Sequence, residues 1–482
     1  MKKLMTAIAL SSILALTAVT AAGCGLFGDN GGGKGTSVAT LEELKENSNK
    51  TKIVLTADID CDYEAITLGC TYFDGQGHSL KNGIINATAY QSSIFSGNAK
   101  EISNLTVENF SVTRTYQYVA IIQNSFTAGA GSTFQASTSS TITNVHLKNC
   151  KINVNQAAKA NNSKLWGTTY VGGIYGGEGY NSVISGCSVE GMEIVYGETA
   201  TSTEHNYMED FYVGGIAGSN ATVTNCNVKD LTVKAISNSI YSQPIVGGII
   251  GKGSAKGCSV EDSTIGVQAT WHGNLTSSGN TQSVSRATAG GLIGEGGMVE
   301  NCYVKNTDID VNCNGSVYAG GLVATASSTI SQCLVADCTV KSHGINAHPY
   351  DIYRYTAGLA GKASGDSVTS CLVLNTTVEE VTSFENHDSK TPRGAGFIAI
   401  GSSTVNYCGA YNVSATGVET DPFSLGSGTV TNTYISRDVT TAKSVEYLEA
   451  EEWLGSSLQE KLHLSGEVWV FEEGKLPTMK HA

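Results

Sequence analysis

A pair of small residues followed at a short, narrowly varying interval by a cysteine recurs along most of this chain. In "YVGGIAG" (212–218) the second glycine stands 11 residues before a cysteine, and the interval is 10 to 14 residues in all seven copies. Successive cysteines lie 31 to 44 residues apart, so a constant unit alternates with an insert of variable length. A chain built in this way repeats one structural unit, and the inserts between copies extend from the surface of the stacked units. The repeated cysteines are Cys187, Cys226, Cys258, Cys302, Cys333, Cys371 and Cys408.

Degenerate copies extend the series at both ends. The segments 102–107, 142–147 and 430–435 carry Leu105, Val145 and Thr433 in the cysteine position, which brings the total to roughly ten units. Within a unit, apolar and polar residues alternate, as in Val223 to Val228, and β-branched residues are frequent. This alternation indicates short strands, and the glycines mark corners. The fold class predicted is therefore an all-β parallel solenoid of roughly ten coils.

The paired glycine and cysteine halves resemble the GLUG motif of bacterial surface proteins over about residues 90–435. The preceding segments 40–46, 53–60 and 73–83 resemble the first coils of a pectin-lyase-like β-helix. The resemblance implies a right-handed parallel β-helix, whereas the periodicity alone implies only a solenoid.

The two ends of the chain differ from the repeats. Residues 1–23 have the charged start and apolar run of a signal peptide. Cys24 follows small residues in a manner that resembles a bacterial lipobox, so it is the predicted lipid attachment site; ordinary secretion is the alternative. Residues 24–37 are glycine-rich and predict a flexible tether. The β-helix is assigned to 38–436, with a helical cap near Leu41 to Asn47, and residues 437–482 are assigned to a C-terminal capping module. We expect an exported protein, lipid-anchored at the bacterial cell surface.

Thirteen cysteines in an exported chain raise the question of disulfides. One cysteine per coil would stack in register about 4.8 Å apart with parallel side chains, which does not suit a disulfide. We therefore expect the seven repeated cysteines to form a column of buried, inert thiols, with disulfides and metal binding as the alternatives. Cys61 and Cys70 are the pair best placed to bridge, and Cys313 has no assigned role. We expect no metal and no cofactor.

Composition excludes some partners. The net charge is −14, only five of the 482 residues are arginine, and nucleic-acid binding is therefore not expected. No second apolar run is long enough to span a membrane, so membrane attachment would be through the lipid alone. We expect a monomer.

The inserts between units carry aromatic side chains beside amides and carboxylates. Exposed aromatics of this kind stack on sugars or pack against proteins; the alternative is that they pack the inserts onto the coil. The sequence thus favours a surface adhesin that binds an extracellular glycan or a surface protein. The proposed ligand-binding residues are Trp166, Tyr170, Tyr207, Phe211, Tyr241, Trp271, Tyr350 and Tyr353.

Catalytic patterns are weak, and no catalytic residue is assigned. The resemblance to pectin-lyase-like proteins keeps a polysaccharide lyase or glycoside hydrolase as the alternative, and a purely structural spacer is third. For a lyase, the basic candidates are Arg286, Arg354 and Arg393, and the acidic candidates are Glu209, Asp210, Asp351 and Asp388.

Overall fold

The computed structural model describes residues 35–480, apart from 86–91, 115–117, 125, 128–134, 137–138, 155–167, 179–181, 198–207, 238–240, 270–285, 347–352, 385–392, 418, 422, 424–427 and 437–444. The predicted signal peptide, Cys24 and nearly all of the predicted tether lie outside these residues. No helix among the described residues is long and apolar enough to cross a membrane.

The chain forms a right-handed parallel β-helix, in which three sheets run along the coils and each strand pairs in register with its counterparts in the adjacent coils. The predicted fold class is confirmed. The second and third sheets hold ten and nine described strands, which agrees with the expected number of coils.

The large sheet contains the strands Thr36–Val38, Lys52–Leu55, Ile59–Asp60, Tyr72–Asp74, Ser79–Lys81, Glu101–Glu108, Gln123–Asn124, Thr141–Lys148, Tyr175–Glu178, Val183–Ser185, Ser188–Glu190, Ala217–Thr224, Asn227–Lys229, Ile250–Lys256, Ser259–Glu261, Ile293–Glu300, Tyr303–Lys305, Val323–Ala326, Ile330–Ser331, Leu334–Ala336, Ala360–Ala363, Ser367–Thr369, Leu372–Leu374, Ile398–Gly401, Thr404–Asn406, Gly409–Tyr411, Val430–Thr431, Tyr434–Ser436 and Glu446–Leu448. The second sheet contains Ile84–Ile85, Ser111–Arg114, Lys151–Val154, Glu193–Tyr196, Thr232–Ser237, Thr264–Ala269, Asp308–Cys313, Thr339–Asn346, Thr377–Phe384 and Ser414–Thr416. The third sheet contains Tyr118–Ala120, Thr169–Gly172, Met208–Gly214, Tyr241–Gly247, Arg286–Gly290, Ser316–Gly320, Arg354–Ala357, Arg393–Ala395 and Glu419–Asp421. Two short antiparallel hairpins pair Phe126–Thr127 with Gln135–Ala136 and Trp469–Val470 with Thr478–Met479.

The glycine half of the repeat makes a sharp inner corner between the third sheet and the large sheet. A Cβ on Gly214 would collide with the carbonyl oxygen of Ala217 and would lie 2.7 Å from that of Ile249. A Cβ on Gly218 would lie 3.0 Å from Cβ of Tyr170 in the preceding coil. Both walls of the corner therefore approach each other closely enough that only a small residue fits.

The residue before each cysteine makes the next corner. Asn225 has φ 51° and Asn144 has φ 54°, a left-handed conformation that asparagine tolerates better than most residues. These amides also link coils, because Nδ2 of Asn144 donates to Oδ1 of Asn104 at 2.9 Å. The "Asn-Cys" pair is thus a turn residue followed by an inward side chain.

The inward cysteines form the predicted column. All twelve cysteines in the described residues are buried and unbridged, and the backbone amide of Cys187 donates to Sγ of Cys226 in the next coil at 3.4 Å. The thiol of Cys226 also donates to the carbonyl oxygen of Thr224 at 3.3 Å. In the last copy, the hydroxyl of Thr433 makes the equivalent bond to Thr431 at 2.8 Å. In the seven cysteine copies and in the threonine copy, the position therefore holds a small side chain that donates to the turn.

Burial makes two thiols of the column poor nucleophiles. It raises the pKa values of Cys302 and Cys371 well above the usual range for a thiol. Cys61 and Cys70, the pair considered for a disulfide, are separate buried thiols whose pKa values burial raises to about 12. Cys313 is likewise buried and unbridged.

The N-terminal helix α1, Leu41–Glu46, begins at Thr40, whose hydroxyl accepts from the backbone amide of Glu43 at 3.2 Å. This agrees with the predicted cap. The strand Thr36–Val38 of the large sheet precedes it and begins within the predicted tether, residues 24–37.

The C-terminal segment packs across the flank of the large sheet. It contains the strand Glu446–Leu448, a 3-10 helix Ala450–Trp453 and helix α2, Ser457–Lys461. Trp453 and Trp469 are buried against outward leucines of the later coils, among them Leu334 and Leu372. Equivalent outward positions in earlier coils are polar, for example Ser188 and Asn227. The apolar outward residues of the late repeats therefore decide where this segment docks.

Candidate functional site

On its outer side the inner corner brings two columns of side chains together along the coils, and the surface that they form is here called the corner groove. One wall is a column of side chains on the outer face of the third sheet. Each of them stands two positions before the first small residue of its repeat. The other wall is an outward column of the large sheet, one position after the last small residue. The first wall consists of Tyr118, Tyr170, Tyr212, Ile245, Thr288, Tyr318, Tyr355 and Arg393, and the second of Ser219, Lys252, Glu295, Thr325, Lys362 and Ile400.

Three tyrosines form a stack at the N-terminal part of the groove. The ring centroids of Tyr118 and Tyr170 are 5.6 Å apart, and those of Tyr170 and Tyr212 are 5.3 Å apart, with interplanar angles of 14° and 9°. The ring faces of Tyr170 are therefore covered by its neighbours, and only 4% of this residue is exposed. The stack therefore offers a ligand little ring-face surface.

Charged side chains occupy the middle of the groove. Nζ of Lys252 lies 3.1 Å from Oε1 of Glu295 and 6.0 Å from the Tyr212 ring centroid. Glu295 also faces Arg286, whose Nη2 is 3.9 Å from Oε2. Burial would lower the pKa of Lys252, but the hydrogen bond and charge of Glu295 outweigh it, and the pKa is raised overall. Lys252 is therefore cationic at neutral pH.

Asp210 adds a carboxylate with a perturbed pKa to this cluster. Burial raises its pKa, and the nearby Arg286 guanidinium only partly opposes the shift. Oδ1 of Asp210 and Nε of Arg286 are buried atoms with no hydrogen-bond partner in the described structure. The sequence named both residues as catalytic candidates without placing them together, and the structure does so.

A second aromatic group follows in the later coils. Tyr318 and Tyr355 have ring centroids 5.7 Å apart at 54°, and Tyr353 lies 5.9 Å from Tyr355. Two cations face the Tyr318 ring, because Cζ of Arg286 and Nζ of Lys362 each lie 6.0 Å from its centroid. This end of the groove combines a half-buried aromatic ring with positive charge.

The predicted ligand-binding aromatics separate into three groups. Tyr170 and Tyr353 lie at or beside the groove, although Tyr170 is buried rather than exposed. Phe211 is wrong as a binding residue: its side chain points into the core, fully buried and stacked on Tyr196 at 4.1 Å, because strand alternation turns it away from Tyr212. Trp166, Tyr207, Trp271, Tyr350 and the side chain of Tyr241 lie outside the described residues.

The residues considered for a lyase also fall into three groups. Arg286 and Asp210 lie on the third sheet, two positions before the wall residues Thr288 and Tyr212, and Arg393 ends that wall. Arg354 is wrong as a surface residue, because it points into the coil and is fully buried against Glu380. Asp351, Asp388 and the side chain of Glu209 lie outside the described part. In that part, no group of three or more metal-ligating side chains is assembled.

Sequence reasoning missed Tyr212, Tyr318, Lys252, Glu295 and Lys362. A signal for the tyrosines was present, since "YVGG", "YAGG" and "YTAG" place tyrosine at one repeat position. The cations on the opposite wall had no such signal, because that column changes residue type in every coil.

Comparisons with known proteins do not identify a family. No protein-family model matches the sequence, and no curated protein matches it. Among solved structures, similarity is found to an immunoglobulin A1 protease candidate from Bacteroides ovatus (14% identity, 93% of each chain, TM-score 0.28) and to endo-xylogalacturonan hydrolase from Aspergillus tubingensis (10% identity, 80% of this chain and 94% of that chain, TM-score 0.25). A third similarity is to the GH136 lacto-N-biosidase from Eubacterium ramulus (10% identity, 84% of this chain and 63% of that chain, TM-score 0.26). At these TM-scores none of the three supports an argument about what this chain does.

Proposed function

We propose that this protein is a monomeric surface lipoprotein, anchored through Cys24, whose corner groove binds an extended extracellular glycan. The observation that carries the proposal is the groove itself, in which side chains at one repeat position recur along the coil axis. An extended polymer would meet a similar set of contacts every few coils, so weak individual contacts would sum.

The chemistry of the walls supports a hydroxyl-rich ligand. Tyrosine hydroxyls, Lys252 and Glu295 together supply donors and acceptors along the groove, and glycans present both. Because the ring faces of the stacked tyrosines are covered, sugar stacking is assigned to the ends of each stack and to the predicted insert aromatics such as Trp271 and Tyr350.

A glycan array probed with the full chain tests this proposal. Binding is expected to fall in Tyr212→Ala and Lys252→Ala. Lys234→Ala, which removes an exposed lysine from the second sheet, serves as the matched control and should bind normally. Equal binding by the wild type and all three variants would place the ligand outside the corner groove. Binding to a surface protein and to no glycan would show that the ligand is a protein.

A second function, polysaccharide cleavage, is favoured by one observation. Asp210 is a carboxylate with a raised pKa beside a guanidinium, a combination that suits a general acid or base acting on a charged sugar. Release of unsaturated ends from an acidic polysaccharide, detected by ultraviolet absorbance and abolished in Asp210→Asn, would establish a lyase. Reducing ends without absorbance would indicate a hydrolase. No turnover would leave the binding function alone.

A further inference from the structure

An outward column of the large sheet joins a serine, a histidine and an asparagine in one line of hydrogen bonds. His146 and Ser188 occupy the same position in adjacent coils, and Nδ1 of the histidine lies 2.8 Å from Oγ of the serine. On the other side of the ring, Nε2 lies 2.8 Å from Oδ1 of Asn144. Both His146 and Ser188 are partly exposed, so the line runs along the surface of the sheet.

A carboxylate two coils before His146 determines which atom donates at each link. The carboxylate of Asp74 accepts, so Nδ2 of Asn104 donates to its Oδ1 at 3.1 Å. The Asn104 amide therefore turns its oxygen to Nδ2 of Asn144, at 2.9 Å, and the Asn144 amide turns its own oxygen to His146. Nε2 of His146 must donate to that oxygen. In the neutral ring Nδ1 is then an acceptor, and the Ser188 hydroxyl donates to it.

A glycine makes the oxygen of Asn144 available to the histidine. The oxygen of Asn104 accepts from the amide of the residue at the same position in the next coil, which is Asn144. Asn144 is followed at that position by Gly186, which has no amide side chain. A Cβ on Gly186 would find no atom of the described structure closer than the backbone nitrogen of Asn144, at 3.9 Å. The surface two residues before Ser188 is therefore open.

The surroundings of His146 favour the neutral ring. Burial lowers the pKa of His146, and the positive charge of Lys148 lowers it further. A neutral imidazole whose unprotonated nitrogen accepts from a hydroxyl is the arrangement of a general base beside an oxygen nucleophile. A third group that accepts from the other ring nitrogen, here Asn144, holds the base in the required tautomer.

We propose that Ser188, His146 and Asn144 form an acyl-transfer site that cleaves small carboxylic esters. Ser188 and His146 are the catalytic residues, and Asn144 is a positioning residue. The neighbours of the pair in the same column, Thr106 and Asn227, are polar, so the site suits a short acyl group rather than a fatty chain. This site lies on the large sheet outside the corner groove, and the inference goes beyond the proposed glycan binding.

The reaction proceeds in two steps at the same pair of side chains. Oγ of Ser188 forms a bond to the ester carbonyl carbon while its proton passes to Nδ1 of His146. The bond to the alcohol oxygen then breaks, and the alcohol leaves with that proton. In the second step a water molecule gives a proton to Nδ1 and attacks the acyl-serine. The carboxylic acid is released, and Oγ takes the proton back from His146.

Hydrolysis of p-nitrophenyl acetate by the full chain, with fluorophosphonate labelling located by peptide mass spectrometry, tests the site. We expect turnover and one labelled peptide, which contains Ser188. Ser188→Ala and His146→Gln should each lower kcat/KM by about a hundredfold or more, as loss of a nucleophile or a general base does. Ser259→Ala is the matched control, because Ser259 stands in the same column two coils later and donates to Asn227 instead of a histidine. It should keep wild-type turnover and labelling.

The variant Asn144→Gly tests the positioning role separately. Asn144 has φ 54°, a conformation that glycine adopts readily, so the variant removes the amide and keeps the turn. We expect kcat to fall about tenfold, the effect of losing one hydrogen bond, while KM stays at the wild-type value. An unchanged kcat, or a rise in KM alone, would overturn the role of Asn144.

The remaining outcomes overturn the site itself. Turnover that persists in Ser188→Ala but is lost in His146→Gln would show that the imidazole alone attacks the ester. A label on another residue, equal turnover in wild type and both catalytic variants, or neither turnover nor label in wild type would each remove the site. None of these results alters the outcome of the glycan array, which reports on the corner groove.

Discussion

Arg354 and Glu380 form an ion pair inside the solenoid, with Nε 3.2 Å from Oε1 and both side chains fully buried. Nη1 of Arg354 also donates to the carbonyl oxygens of Cys313 and Gly315, at 2.7 and 2.9 Å. The pair therefore ties the turn between the second and third sheets in one coil to strands of the following coils.

Removal of one partner should destabilise the later coils strongly. Glu380→Gln is expected to lower the free energy of unfolding by about 3–5 kcal/mol, because it leaves a buried guanidinium without its counter-charge. The double variant Arg354→Met/Glu380→Leu should lose much less. Denaturant unfolding of the three proteins measures this, and equal losses in the single and double variants would contradict the argument.

Thiol counting tests the cysteine column. The protein denatured without reductant should titrate with twelve free thiols from the described residues. The folded protein at pH 8 should react hardly at all, since all twelve of these thiols are buried out of reach of a reagent. Outside the column, burial also raises the pKa of Cys150 to about 11 and that of Cys338 to about 12. Fewer than seven thiols after denaturation would mean that the column is oxidised.

The inner corner predicts that an alanine substitution lowers stability at one glycine much more than at another. Gly214→Ala should cost about 1–3 kcal/mol, because the new methyl group meets the backbone oxygen atoms of Ala217 and of Ile249 in the next coil. Gly266→Ala in the second sheet is the control: its Cβ would meet only the Val233 oxygen, at 3.4 Å. Thermal unfolding should therefore separate the variants, and similar melting temperatures would argue against a steric corner.

Docking of the C-terminal segment depends on one amide. Gln332 accepts from Nε1 of Trp469 at 2.8 Å and from the amide of Ser465 at 3.0 Å, and donates to the carbonyl of His463 at 2.9 Å. Gln332→Ala should therefore accelerate tryptic cleavage after Lys461. The control variant Gln243→Ala, in the third sheet, should be cleaved at the wild-type rate. An unchanged rate in Gln332→Ala would show that the buried tryptophans alone hold the C-terminal segment in place.

Asp210 predicts a pH dependence with a definite sign. Its pKa is raised in the folded protein, so the folded state holds this proton more tightly than the unfolded state does. The stabilising contribution is present below the ordinary carboxyl pKa of about 4 and is lost as pH rises through the higher folded value. Asp210→Asn should therefore gain stability relative to wild type on going from pH 3 to pH 7. A constant difference in melting temperature would contradict the shift.

The repeat pattern predicted the architecture because its constraints are local. A small residue at Gly214 and a turn residue at Asn225 determine corners within a few positions, and strand alternation then points Cys226 inward. The candidate site was predicted less well. The inserts drew attention by their aromatic content, yet Tyr212 and Tyr318 lie at the repeat positions next to the corner.

By itself the sequence determined the coil, the number of coils and the thiol column, since each follows from residues repeating in register. Tertiary structure decided the rest. Whether Phe211 or Tyr212 faces the groove depends on strand phase, and the contact of Lys362 with Tyr318 joins different coils across a corner. Such contacts cannot be predicted from sequence spacing, because variable inserts separate the residues along the chain while coil stacking brings them together.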